Sequence, residues 1–218
     1  MINQGEHIEH DLKERQYIED LVQIRSMMER SSRFLLVSGW AGIFAGSYAL
    51  IGAYLAHYYL GFNPDRLIFT TDQLSHFTQQ KWMLVSLALI VLLVSAVTAV
   101  MFSLAQAKQK GERIWTPATK HLLEALLIPV TVGGGLMLIL FTVDLIGLIP
   151  PLMLIFYGLG LYQAGVYSFN EVKLLGLAQL LLGILNTLFV ELGLLWWTLG
   201  FGGLHVLYGI YIKIRYER

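Results

Sequence analysis

Residues 82–107 read WMLVSLALIVLLVSAVTAVMFSLAQA, a run with no charged side chain. A helix rises about 1.5 Å per residue, so this stretch is long enough to cross a hydrocarbon core of roughly 30 Å. In lipid, backbone amides need partners within their own segment, and in an open chain only a helix supplies them. The run reads as a membrane span.

Five more runs follow the same pattern, at about 34–60, 118–148, 150–168, 172–193 and 195–214. Pro150-Pro151 separates the third from the fourth, Phe169-Asn170-Glu171 the fourth from the fifth, and Gly193 with Trp196-Trp197 the last two. The expected fold is all-α: a polytopic membrane protein, with a six-transmembrane-helix bundle over 34–218 and a cytoplasmic amphipathic helix over 1–33. Composition agrees. The 218 residues are 56% hydrophobic and only 14% charged, against about 25% charged in soluble domains.

The basic residues set the orientation, because cytoplasmic loops carry an excess of Lys and Arg. Thirteen of the fifteen fall in 1–33, 108–120, 169–173 and 213–218, leaving only Arg66 and Lys81 for the other side. Both termini are therefore expected in the cytoplasm, which an even number of crossings requires. The charged start of the chain does not read as a cleaved signal, so the first span is expected to be an uncleaved anchor.

Fifteen basic and fifteen acidic residues cancel, so no global field draws nucleic acid, and none is expected as a partner. The lipid bilayer is the expected partner. Without cysteine there are no disulfides or thiolate ligands. Neither a P-loop, a dinucleotide fingerprint nor a zinc-protease helix is found. No motif names a cofactor, a metal or a catalytic residue, and the cofactor stays unknown at this stage.

In the N-terminal segment Tyr17, Leu21, Ile24 and Met28 recur at helical spacing, with Ile18 and Val22 beside them. Glu9 with Lys13, Asp11 with Arg15 and Glu29 with Arg33 stand in the favourable acid-before-base order. Such a helix wants a surface for its apolar face. That surface is the membrane or the chain's own loops, or else a cytoplasmic partner or a second copy bound through residues 9–33. Between the first two spans, Asp72–Gln80 is expected to form a short interfacial helix.

Span five carries a stripe of small and amide residues: Gly176, Gln179, Gly183, Asn186, Val190 and Gly193. Ser38, Gly42 and Gly46 make a small-residue ladder in span one, and span six echoes it with Thr198, Gly202, His205 and Gly209. Small residues let helices approach closely, and amides bond across them. Span two has no such stripe and should face lipid. Gly133-Gly134-Gly135 reads as a close-packing site.

Ionisable groups at depth are the better functional pointers, because each is costly in hydrocarbon. The candidate ion, proton or polar-cavity residues are His57, Glu124, Asp144, Gln179, Asn186, Glu191 and His205, with His121 beside Glu124. Asp144 and Glu191 occupy matching places in spans three and five, within LFTVDLIG (140–147) and LFVELG (188–193). A duplicated hairpin would explain that match, although shared apolar composition explains it more simply. Three readings follow, in order. The first is a small cation- or proton-linked transport or permeation protein. The second is a scaffold or regulatory subunit working through its N-terminal helix, and the third an intramembrane enzyme.

Overall fold

The computed structural model describes residues 17, 18, 20, 21, 38–61, 74–111 and 115–216. The chain divides into two units, Met1–Phe34 and Leu35–Arg218. In the first, Tyr17, Ile18, Asp20 and Leu21 are helical and exposed. The remainder of the expected amphipathic helix lies outside the described residues.

The second unit is all-α among the described residues. Its elements are α1 (Gly39–Tyr58), α2 (Leu74–Lys110), α3 (Pro117–Thr142), α4 (Ile149–Ala164), α5 (Asn170–Leu188), α6 (Gly193–Trp197) and α7 (His205–Tyr216). A π-helical segment, Thr198–Leu204, joins α6 to α7. Short 3-10 turns at Ile146–Leu148 and Val190–Leu192 precede α4 and α6. Among the described residues six stretches are long and apolar enough to span a membrane: 39–58, 82–109, 117–142, 146–164, 170–188 and 190–216. The molecule is a multi-pass α-helical membrane protein, as the apolar runs predict.

Local chemistry sets the boundaries. Thr116 caps α3, its Oγ1 accepting from the Thr119 amide at 3.2 Å, and Pro117 takes the first turn, where its missing N–H costs nothing. Gly61 and Gly111, after α1 and α2, adopt positive φ of 58° and 67°, which glycine adopts without strain. No proline or glycine interrupts Leu74–Lys110. The helix expected separately at Asp72–Gln80 is therefore, from Leu74 onward, the continuous start of α2.

The spans fall into two groups of three. α1 packs against α2 and the sixth span, and α4 packs against α3 and α5. The sixth span joins the groups through contacts of α6 with α4 and α5. Backbone approach is closest along the glycine ladders. A side-chain carbon at Gly42 would lie 3.0 Å from the Gly209 Cα, and one at Gly176 would lie 2.8 Å from the Gly158 carbonyl oxygen. Of the three consecutive glycines only Gly133 is packed, against Phe156. A carbon at Gly134 or Gly135 would meet nothing within 4 Å, so the expected packing site is one residue wide. In α2 no side chain from Trp82 to Gln106 is buried, in keeping with its uniform apolar surface.

Gly39 abuts Gly209 and Lys213, so α1 begins where the sixth span ends. At this terminal end Lys213 Nζ lies 3.5 Å from the Trp40 ring centre. Nearby Glu171 accepts from the Tyr216 hydroxyl at 2.8 Å, with Arg215 Nε 3.9 Å away.

Candidate polar site within the bundle

Polar side chains buried in hydrocarbon have to find partners in the protein. Gln179 and Asn186 are fully buried on α5, and His205 is 7% exposed at the start of α7. Among the described residues His205 is the one buried side chain of the Asp, Glu, His, Lys and Arg types.

The π segment creates the site. In α6 and the residues after it, the Thr198 hydroxyl bonds back to the Leu194 carbonyl at 2.6 Å, competing for an acceptor of the regular ladder. Gly200, Gly202 and Gly203 follow, and the backbone widens into the π turn. Such turns often mark functional positions. Here the Gly200 carbonyl receives two side chains: Gln179 Nε2 donates to it at 2.9 Å, and His205 Nδ1 lies 3.0 Å away.

These contacts fix the histidine tautomer. A carbonyl oxygen only accepts, so Nδ1 must carry the hydrogen. The neutral ring then presents a bare Nε2. Tyr157 Oη, from α4, lies 3.0 Å from Nε2 and donates to it. Gln179 Nε2 and His205 Nδ1 are 3.4 Å apart. As two donors sharing one acceptor, they do not bond each other. Tyr157 and Phe201 also flank the imidazole, with ring centres 5.5 and 5.9 Å from it. Among the described residues Gln179 Oε1 has no hydrogen-bond partner, and neither amide atom of Asn186 has one.

The other candidates lie apart from this cluster. His57, at the far end of α1, is exposed and meets Tyr58 edge-on at 5.4 Å. Glu124 is exposed on α3, 3.5 Å from His121. Asp144 and Glu191 are exposed and lie beyond the ends of α3 and α5. Their neighbourhoods are close, because the two 3-10 turns pack together. Their positions do not match. Asp144 stands before its turn with φ 62°, whereas Glu191 is the middle residue of its own.

Sequence reading missed Tyr157 and the Gly200 carbonyl. A tyrosine midway along a span, far from either interface, needs a hydroxyl partner, and that signal was available. Glycines at 200, 202 and 203 just before His205 hint at irregular backbone, but no residue type announces which carbonyl is freed.

The fold and this buried site together define a polytopic α-helical membrane protein with a cluster of Tyr157, Gln179 and His205 inside its bundle. Comparison with protein-family models, curated proteins and solved structures finds no match to the chain.

Proposed function

We propose that the chain is a proton-linked membrane transport or permeation protein, with His205 as the group that takes up and releases the proton. The observation that carries this reading is the chain of contacts from Tyr157 through His205 to the Gly200 carbonyl. It can satisfy both charge states of the ring. In the neutral state Tyr157 donates to Nε2. With Nε2 protonated, the tyrosine hydroxyl turns and accepts, while Nδ1–H keeps its bond to Gly200. Only one hydroxyl rotates. An ionisable group inside a bundle is a functional pointer in its own right.

This reading moves the emphasis from the carboxylates to the histidine. Asp144 and Glu191 are exposed in adjoining turns, where a role in attracting cations at an entrance fits better than a buried ion site. We infer cytoplasmic termini from the positive-inside pattern, since Lys108, Lys120, Lys173, Lys213 and Arg215 fall on alternate ends of successive spans.

A second reading has a specific observation behind it: Tyr157 bonds His205, and His205 and Gln179 share the Gly200 carbonyl, in a single arrangement. The cluster would then be static glue between helices, and the scaffold role would rest on residues 9–33. Proteoliposomes containing a trapped pH-sensitive dye and an imposed potential separate the two. Proton entry in the parent that falls at least tenfold in His205→Gln supports proton linkage. Equal rates in parent and variant favour the static reading.

A further inference from the structure

Asn186 is buried as completely as Gln179 and lies seven residues further along the same face of α5. Both its Oδ1 and its Nδ2 are buried without a hydrogen-bond partner among the described residues. A primary amide offers two donors and an acceptor with two lone pairs. Leaving them unmade inside a bundle costs much of the group's desolvation energy. Native structures avoid that cost, and a buried water is one way of doing so.

The space beside this amide is measurable. A side-chain carbon built on Gly193 would lie 3.8 Å from Asn186 Oδ1, 3.4 Å from Pro150 Cγ and 3.6 Å from Pro150 Cβ. These are ordinary contact distances, so a methyl group would fit beside the amide, and the glycine leaves that space without a side chain. Pro150 has no N–H and donates nothing into it. Asn186 Oδ1 and the Pro150 ring lie beside Gly193, and an amide suits an uncharged ligand that both donates and accepts.

We propose that the gap between Asn186, Gly193 and Pro150 is an internal water-binding site. Water there bonds to the Asn186 amide and continues the polar line of Gln179 and His205 toward the Glu191 end of the bundle. That continuation rests on the proton-linked reading, but the water site itself does not.

Gly193 provides a test whose sign is diagnostic. Its φ of −51° and ψ of −45° are helical, and alanine fits the gap at contact distance. In a helix, Gly→Ala ordinarily stabilises. If water occupies the gap, Gly193→Ala expels it, strands the amide and lowers the melting temperature of the purified protein in detergent. In an Asn186→Leu background the same substitution should cause no loss. Asn186→Val serves as the apolar background if the leucine variant does not fold. Gly193→Ala melting at or above the parent would overturn the site. An equal drop in both backgrounds would also overturn it, by pointing to a clash with Pro150. Because the readout is stability, it stands or falls separately from any flux measurement.

Discussion

The Tyr157 hydroxyl and His205 Nε2 meet at 3.0 Å although 48 residues separate them in the chain. Tyr157 belongs to the group of α3, α4 and α5, and His205 to the sixth span, which packs on α1. Their bond, like that of Gln179 to the Gly200 carbonyl, therefore ties the two halves of the bundle together deep within it. Each half brings its own small-residue contacts, and the polar bonds fix how the halves meet.

Removing the hydroxyl should be felt as lost stability. Tyr157→Phe leaves His205 Nε2 buried and unpartnered, at a cost of roughly 1–3 kcal/mol. A double-mutant cycle with His205→Gln should return a coupling of about 0.6 kcal/mol or more. Unfolding in mixed detergent micelles measures both. Additive effects would mean the two side chains do not interact.

Helix approach at the glycine ladders makes a second prediction. Gly42→Leu would drive a side chain into the Gly209 backbone, and Gly183→Leu would drive one into Ile155. Each should destabilise by roughly 1–3 kcal/mol, the usual range for overpacking. Gly134→Leu, which meets open space, should shift stability by no more than about 0.5 kcal/mol. Melting in detergent ranks the three.

The carboxylates should prove dispensable for the core chemistry. Asp144→Asn combined with Glu191→Gln should leave folding intact and retain most of the proton response in proteoliposomes, since both residues are exposed beyond their helices. Loss of that response, with the fold preserved, would return the carboxylates to the centre of the mechanism.

Topology can be checked without any activity. Tags at the two termini should be reachable only from the cytoplasmic side, and a tag beside Asp65 only from the opposite side. Termini on opposite faces would contradict six crossings.

The spans were legible in sequence because hydrocarbon thickness and backbone satisfaction leave few alternatives to a long apolar helix. The α5 stripe was legible too: Gln179 and Asn186 are buried where the spacing put them, and His205 joins Gln179. Asp144 and Glu191 fall inside spans drawn to 148 and 193 because composition stays apolar that far, while the helices themselves stop at Thr142 and Leu188. Asp144 marks the first stop, its left-handed φ of 62° breaking the helical backbone just after Thr142, and Pro150 and Pro151 fall in the first turn of α4, where their missing N–H groups cost nothing. Tyr157 escaped notice because its significance depends on where the sixth span crosses α4. The Gly200 carbonyl escaped because a π turn is a property of the backbone that no single side chain encodes.

The most direct test of the account is nitrogen-15 NMR of labelled histidine in bilayers, with His205 assigned by comparison with His205→Gln and followed across pH. The network predicts a neutral ring protonated at Nδ1 and bare at Nε2, converting reversibly on acidification to a ring protonated at both nitrogens, with the fold retained. A ring protonated at Nε2 in the neutral state would contradict the hydrogen-bond assignment, and a His205 signal that never titrates while the protein stays folded would contradict the proton-linked role.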